Sequence, residues 1–166
     1  QVAKESQTEI ASVRLNVPVV NSLTNYFNSE ISVSGEKISD LHLKKSVNES
    51  EILDPIFNYK VIHRSILNYE LDKQHNITDP RGMYGDNLKV HFFKLAVREN
   101  YIKTIKTIFE QLDIHIEKFI PTPLSSALAV LKNDEKELGA ISIDLGSGST
   151  SISVFENNKL IFLNAI

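Results

Sequence analysis

The 166-residue chain contains no cysteine. That excludes disulfides, thiolate nucleophiles and cysteine-based zinc sites, and it accords with a reducing cytoplasm. Charge of either sign is barely in excess: 18 Lys plus Arg against 21 Asp plus Glu leave a net charge of −3. A nucleic-acid binder normally carries a clustered basic face, and Lys44-Lys45 is too short to make one. No run of about 18 apolar residues occurs, so no spanning helix is expected. The start has no charged-then-apolar pattern of a signal peptide. The five histidines (His42, His63, His75, His91, His115) show no His-x-x-x-His or carboxylate-paired spacing, which disfavours metal ligation. No Gly-x-Ser-x-Gly elbow supports a hydrolase triad. Asp134 and Glu135 sit in a charged connection and read as solvated rather than as acid–base machinery. No internal repeat is present.

What is there is about one domain's worth of chain, with 42% apolar residues and length enough to hide about two-thirds of its unfolded surface. It opens at Gln1 and closes inside the apolar run 160–166, and is expected to be a piece cut from a longer protein. Residues 12–20 alternate up to Pro18, a short strand with the proline near its end. Residues 26–33 read as a second strand ended by Gly35. From Ser39, a capping residue, to about Ile52, the apolar positions Leu41, Leu43, Val47 and Ile52 predict a helix. Residues 59–72 are β-rich, residues 73–86 are rich in turn formers, and residues 88–97 form another strand. Two long strands around a polar, glycine-containing connection predict an extended antiparallel hairpin. The period then changes: Ile102, Ile105, Phe109 and Leu112 recur at three and four, predicting an amphipathic helix over 100–112 whose stripe is core.

Residues 114–120 read as a strand broken by Pro121. Thr122 and Pro123 suit the cap and first position of a helix over 124–131, whose small residues permit close approach to a neighbour. The charged patch 132–137 reads as a linker or turn. Strands then follow over 140–145 and 149–155, and Glu156-Asn157-Asn158-Lys159 turns the chain into a third. Three of the six glycines fall after residue 138, which places a boundary near 137.

One motif carries a chemical mechanism. Asp144-Leu145-Gly146-Ser147-Gly148-Ser149-Thr150 joins two strands. A glycine-rich strand turn exposes successive N–H groups that attract phosphate oxygens, and glycine lets phosphate approach without a side chain in the way. Ser147, Ser149 and Thr150 offer hydroxyl donors, and an Asp at a strand end is placed to hold Mg²⁺ through water. A Walker loop or dinucleotide fingerprint would lead into a helix instead. In isolation, such a turn is most often only a hairpin connection.

Longer stretches add to it. Asp79-Pro80-Arg81-Gly82-Met83-Tyr84-Gly85, the strand over 88–95, the helix over 100–112, and Leu124-Ser125-Ser126-Ala127-Leu128-Ala129-Val130-Leu131 followed by Asp134-Glu135-Lys136-Glu137-Leu138-Gly139 resemble the FtsA family of bacterial cell-division proteins. The resemblance is good over about 55–166 and looser before Pro55. It implies an α+β fold: a small antiparallel sheet with packed helices (the SHS2-like subdomain 1C), followed by the first strands of an actin-like, ribonuclease H-like ATPase subdomain. On it, residues 1–22 are the tail of subdomain 1A, 23–121 are subdomain 1C, 122–137 a connecting helix and linker, and 138–166 the start of subdomain 2A. Asp144, Gly146, Ser147, Gly148 and Thr150 fall on the family's second phosphate loop. Ser147 replaces a usual Gly, and Ser151 stands where an Asp commonly follows the Thr.

The resemblance further implies an ATP-binding scaffold for septation, without catalytic or metal-ligating residues of its own in this stretch. It would tether the FtsZ ring of the divisome, recruit later division proteins and self-associate into actin-like filaments. The expected location is cytoplasmic, peripheral on the inner membrane at the division site, with membrane contact through a segment outside this chain and with no nucleic-acid partner. ATP with Mg²⁺ would bind the full-length parent and not the fragment alone. The alternatives are a type IV pilus assembly protein of the PilM kind and an actin-fold sugar or acetate kinase. The Asp-Pro-Arg-Gly-Met run and the Leu-Ser-Ser-Ala helix favour division.

Overall fold

The structure, a computed structural model, describes residues 10–53 and 57–166, apart from the side chains of 50–53. The first nine residues of the stretch expected to be subdomain 1A, Pro55, and the side chain of Ile52 in the apolar stripe of the first helix lie outside the described residues. Three sheets are formed among the described residues. The largest has four strands in the order β2 (Leu23–Ser32), β5 (Asn87–Arg98), β3 (Tyr59–Leu71), β4 (Gln74–Ile77). The predicted hairpin is there: β3 and β5 pair antiparallel from Tyr59 opposite Arg98 to Leu71 opposite Leu88. Within its connection, read as turn only, β4 folds back on β3 through Tyr69 opposite Ile77 and Leu71 opposite Gln74. Two register pairs leave no alternation long enough to recognise in sequence.

Strand β5 is buried on both faces, which fits its near-continuous apolar run. Leu88, Val90 and Phe92 join Ile31, Val33, Ile38, Tyr69 and Leu71 in one core. Phe93, Leu95 and Val97 point the other way into a second core with Val17, Val19, Ile102, Leu124, Phe155 and Leu163. Burying each such side chain is worth about 1.5–3 kcal/mol. Helix α1 (Asp40–Leu53) packs on β2. It starts where Ser39 was expected to cap it, but by a different bond: the Ser39 N–H donates to His42 Nδ1 at 3.3 Å, and the Ser39 hydroxyl meets the same nitrogen. Leu41, one of its apolar positions, is exposed.

The Asp79-Pro80-Arg81-Gly82-Met83 run does structural work. Arg81 forks onto Asp79 at 2.7–3.0 Å and reaches Asp40. Gly82 has φ +88°, a left-handed value that favours glycine, and its N–H donates to the Ile38 carbonyl while Ile38 N–H donates to Met83.

Helix α2 (Glu99–Glu110) uses Ile102, Ile105 and Phe109 as its inner face. Leu112 falls beyond the helix end and is exposed, so the expected core stripe stops one residue short. Strand β6 (His115–Pro121) leaves the four-stranded sheet: it runs parallel to β1 (Ser12–Val17), more than 100 residues earlier, in a two-stranded sheet. Helix α3 (Thr122–Val130) follows directly. The charged patch expected as linker is instead helix α4 (Asn133–Leu138), started by a Lys132 N–H bond to the Glu135 carboxylate at 2.7 Å. A carboxylate three residues past a cap position stabilises such a start.

The third sheet is the antiparallel meander β7 (Ala140–Leu145), β8 (Thr150–Glu156) and β9 (Lys159–Ala165). It is an open sheet, not a barrel. Its edge strand β7 turns Ile141, Ile143 and Leu145 outward, all exposed, while Ser142 and Asp144 face inward.

Candidate functional site

Two features place the glycine turn. The β7–β8 ladder closes with Leu145 opposite Thr150, and the Gly146 N–H donates to the Ser149 carbonyl at 2.9 Å. The turn therefore stands at one end of the sheet. Helix α3 is fixed against the same end: the Ser153 hydroxyl, buried on β8, donates to the Pro123 carbonyl at 3.3 Å. Ser125, in the same first turn of α3, donates to Asn16 Oδ1 of β1 at 2.7 Å. Tight approach follows from Ala127, which is fully buried in the core.

Between these elements lies a cleft of about 290 Å³. Its walls are Pro18, Val19 and Val20 after β1, Thr122 and Pro123 at the start of α3, and the turn itself. Of the five residues predicted to bind phosphate, Asp144, Gly146, Ser147 and Gly148 line it, with Ser149 alongside. Thr150 does not. Strand alternation explains the difference. Asp144 pairs across the ladder with Ser151, so these two share the inner face, whereas Leu145 and Thr150 share the outer one. Thr150 exchanges backbone bonds with Ile166 at 2.8 and 2.9 Å. Ser151 and Thr122 were missed as site residues; counting inward from Asp144 across the turn would have found the first. Nothing local marks Thr122, because β1, β8 and α3 meet only on folding.

The glycines differ in role. A Cβ on Gly146 would meet the Ser149 carbonyl oxygen at 3.0 Å, a constraint of the turn itself. A Cβ on Gly148 would meet nothing within 4 Å. That position has open space around it, which leaves room for close approach by a group from outside. Among the described residues that line the cleft there is no Lys, Arg or His, and Asp144 is the one charged residue. Among the described residues, no group of three or more His, Cys, Asp or Glu is arranged to hold a metal ion by itself.

Outside the cleft, Glu70 on β3 receives His75 Nδ1 at 3.3 Å and His91 Nε2 at 3.4 Å. Desolvation alone would push its carboxyl up. The hydrogen bonds from His75 and His91, with the positive charges of His75 and Lys89, outweigh that and hold it below the usual range. His63 on β3 is pushed down to about 4 by burial and by the positive charge of Lys118, and its Nε2 is buried without a hydrogen-bond partner. It is a neutral core histidine.

Comparison with known proteins agrees with this architecture. Residues 23–95 match the family described as the SHS2 domain inserted in FtsA. The cell division protein FtsA of Agrobacterium fabrum is 30% identical over 157 residues, covering 95% of this chain and 35% of that protein. FtsA of Pseudomonas aeruginosa is 26% identical, covering 96% of this chain and 40% of its own length. The chain thus spans between about a third and two-fifths of these relatives. A chain of the PilM-PilN type IV pilus biogenesis complex superposes over 99% of this chain with a TM-score of 0.57 at 13% identity, covering 45% of that chain, and shares the fold. Residues 23–95 thus carry an SHS2 domain of the kind inserted in FtsA, and the chain is similar to FtsA proteins over nearly all its length, with an α+β fold.

Proposed function

We propose that this stretch serves an ATP-binding, actin-like protein that anchors the FtsZ ring at the cytoplasmic face of the inner membrane and recruits later division proteins. Residues 23–121 are the part that contacts other proteins, and the cleft at Asp144–Gly148 is one side of the nucleotide site. The role is binding and assembly, with no catalytic residue in this stretch. One observation carries the reading: a glycine turn with an open Cβ position at Gly148 faces a cleft closed by the first turn of a helix, in a chain similar to FtsA over 95% of its length.

The residues present fit a phosphate group with its metal. Backbone N–H groups of the turn and the hydroxyls of Ser147 and Ser149 would donate to phosphate oxygens. Asp144 would hold Mg²⁺ through water, since that ion keeps much of its hydration shell. The metal would supply the positive charge that this lining lacks.

In a full-length FtsA-type protein carrying these residues, Gly148→Val should abolish nucleotide binding in calorimetry. A variant that binds ATP like the parent would reduce Gly146-Ser147-Gly148 to a simple turn. Deleting residues 23–121 should remove the protein from midcell, and unchanged division would count against the division role.

A further inference from the structure

We propose that helix α1 is a displaceable cover on the SHS2 sheet, hinged at Ser39. It opens as a unit and uncovers apolar side chains of β2 and β5 while the β2–β5–β3 ladder stays paired. The inference is independent of the nucleotide reading above.

The interface under α1 carries two unpaired hydroxyls. Ser46 is the one fully buried side chain among the described residues of the helix, and its hydroxyl has no hydrogen-bond partner. On β2, Ser29 is 1% exposed and its hydroxyl is equally unpartnered. Strand alternation sets Ser29 on the same face as Phe27 and Ile31, which belong to the core that Leu43 and Val47 of α1 pack against. Buried hydroxyls are normally paired. An unpaired one carries a desolvation penalty in the closed state, and lifting the helix returns both to water.

Over its described side chains, α1 offers little apolar area against that penalty. Leu43 and Val47 are only partly buried, and Leu41 is exposed. Helix α2, on the opposite face of the sheet, sets the contrast with Ile102 at 3% exposure and Ile105 packed beside it. The start of α1 is fixed, which makes it the hinge. Ile38 is buried and exchanges backbone bonds with Gly82 and Met83, and Arg81 reaches Asp40 at 3.5 Å. Further along, the Lys45–Glu49 ion pair runs within the helix and does not hold it to the sheet. In the core below, Leu88, Val90 and Phe92 of β5 are completely buried, and β5 is paired on both edges, with β2 and with β3. The ladder therefore persists without α1, and local opening is drawn from elements with few buried apolar contacts. The SHS2 sheet thus holds an apolar surface that it presents only in the open state.

The test is native-state hydrogen exchange of the full-length protein carrying these residues, read by mass spectrometry over 40–49 and 88–97. Wild type, Ser29→Ala and Ser46→Ala are compared. In a cysteine-free background, Val90→Cys and Leu95→Cys are also labelled with a thiol reagent. Opening predicts that amides of 40–49 exchange at least about tenfold faster than those of 88–97. The thiol of Val90→Cys should react faster than that of Leu95→Cys, which lies on the opposite face. Ser29→Ala, which leaves the helix sequence untouched, and Ser46→Ala should each slow exchange of 40–49 about tenfold and leave 88–97 unchanged. A common exchange rate for both segments overturns the cover. So does fast exchange of 40–49 that neither alanine slows, since the unpaired hydroxyls are then not its cause. Fast exchange with Val90→Cys as fully protected as Leu95→Cys overturns it too, because the helix then frays in place.

Discussion

Lys159, the first residue of β9, donates a 2.7 Å hydrogen bond to the carbonyl of Leu67, 92 residues earlier in β3. The bond exists because β3 is irregular between Ile66 and Asn68, where Leu67 has no register partner on β5 and its carbonyl is free to turn outward. Tyr26 of β2 adds a second tie, its hydroxyl donating to the Ile161 carbonyl at 3.0 Å. The meander bearing the cleft is thereby fastened to the SHS2 sheet by two polar contacts beside the shared apolar core.

Removing the first tie should loosen that junction. Lys159→Met keeps the apolar stem but leaves the Leu67 carbonyl without its donor, a loss of about 1–3 kcal/mol. Urea unfolding should show the drop, and hydrogen exchange should rise around residues 66–68 ahead of the β3–β5 ladder.

His63 makes stability depend on pH in a defined window. Its folded pKa lies near 4, against 6.5 for the free side chain. Between those values the unfolded chain binds the proton and the folded one does not. Stability is therefore complete above pH 6.5 and falls as pH drops toward 4, by up to about 3 kcal/mol. His63→Phe should remove that slope, read as the urea midpoint at pH 7 and pH 5.

Glu70 acts in a lower window. Its carboxyl is held below 4.5 by His75 and His91 against the opposing pull of desolvation. Its contribution is present above 4.5 and lost as pH falls further, through the folded value. Glu70→Gln should flatten the midpoint below pH 4.5 and leave the His63 slope above it intact.

Two glycines should respond oppositely to a methyl group. A Cβ on Gly85 would meet Leu71 Cδ1 at 2.6 Å and Asp72 Oδ2 at 2.8 Å. Asp72 is not free to move, because its carboxylate accepts the Asp86 and Asn87 N–H groups. Gly85→Ala should cost about 1–3 kcal/mol by overpacking. Gly148→Ala, with open space around it, should change stability by less than about 0.5 kcal/mol. Its effect belongs to ligand binding, so thermal melting and nucleotide titration together separate the two.

Periodicity determined most of the elements. Alternation marked β1, β-rich and apolar runs marked β3 and β5, and the three-and-four spacing of Ile102, Ile105 and Phe109 marked α2, whose inner face must meet a core. The specific runs at Asp79–Met83 and in α3 pointed to the family. Local patterns were silent where an element is short or owes its existence to distant partners. Strand β4 holds only two register pairs, and α4 is a six-residue helix of polar composition. The pairing of β6 with β1 depends on a partner about a hundred residues away. The turn motif could be seen in the chain, but which of its neighbours faces the cleft could not. That choice came from the β7–β8 register, which sets Ser151 beside Asp144 and turns Thr150 outward. It came also from the Ser153–Pro123 bond that brings α3 over the same face. Facing is a property of paired strands and docked helices, and it forms only when the sheets assemble.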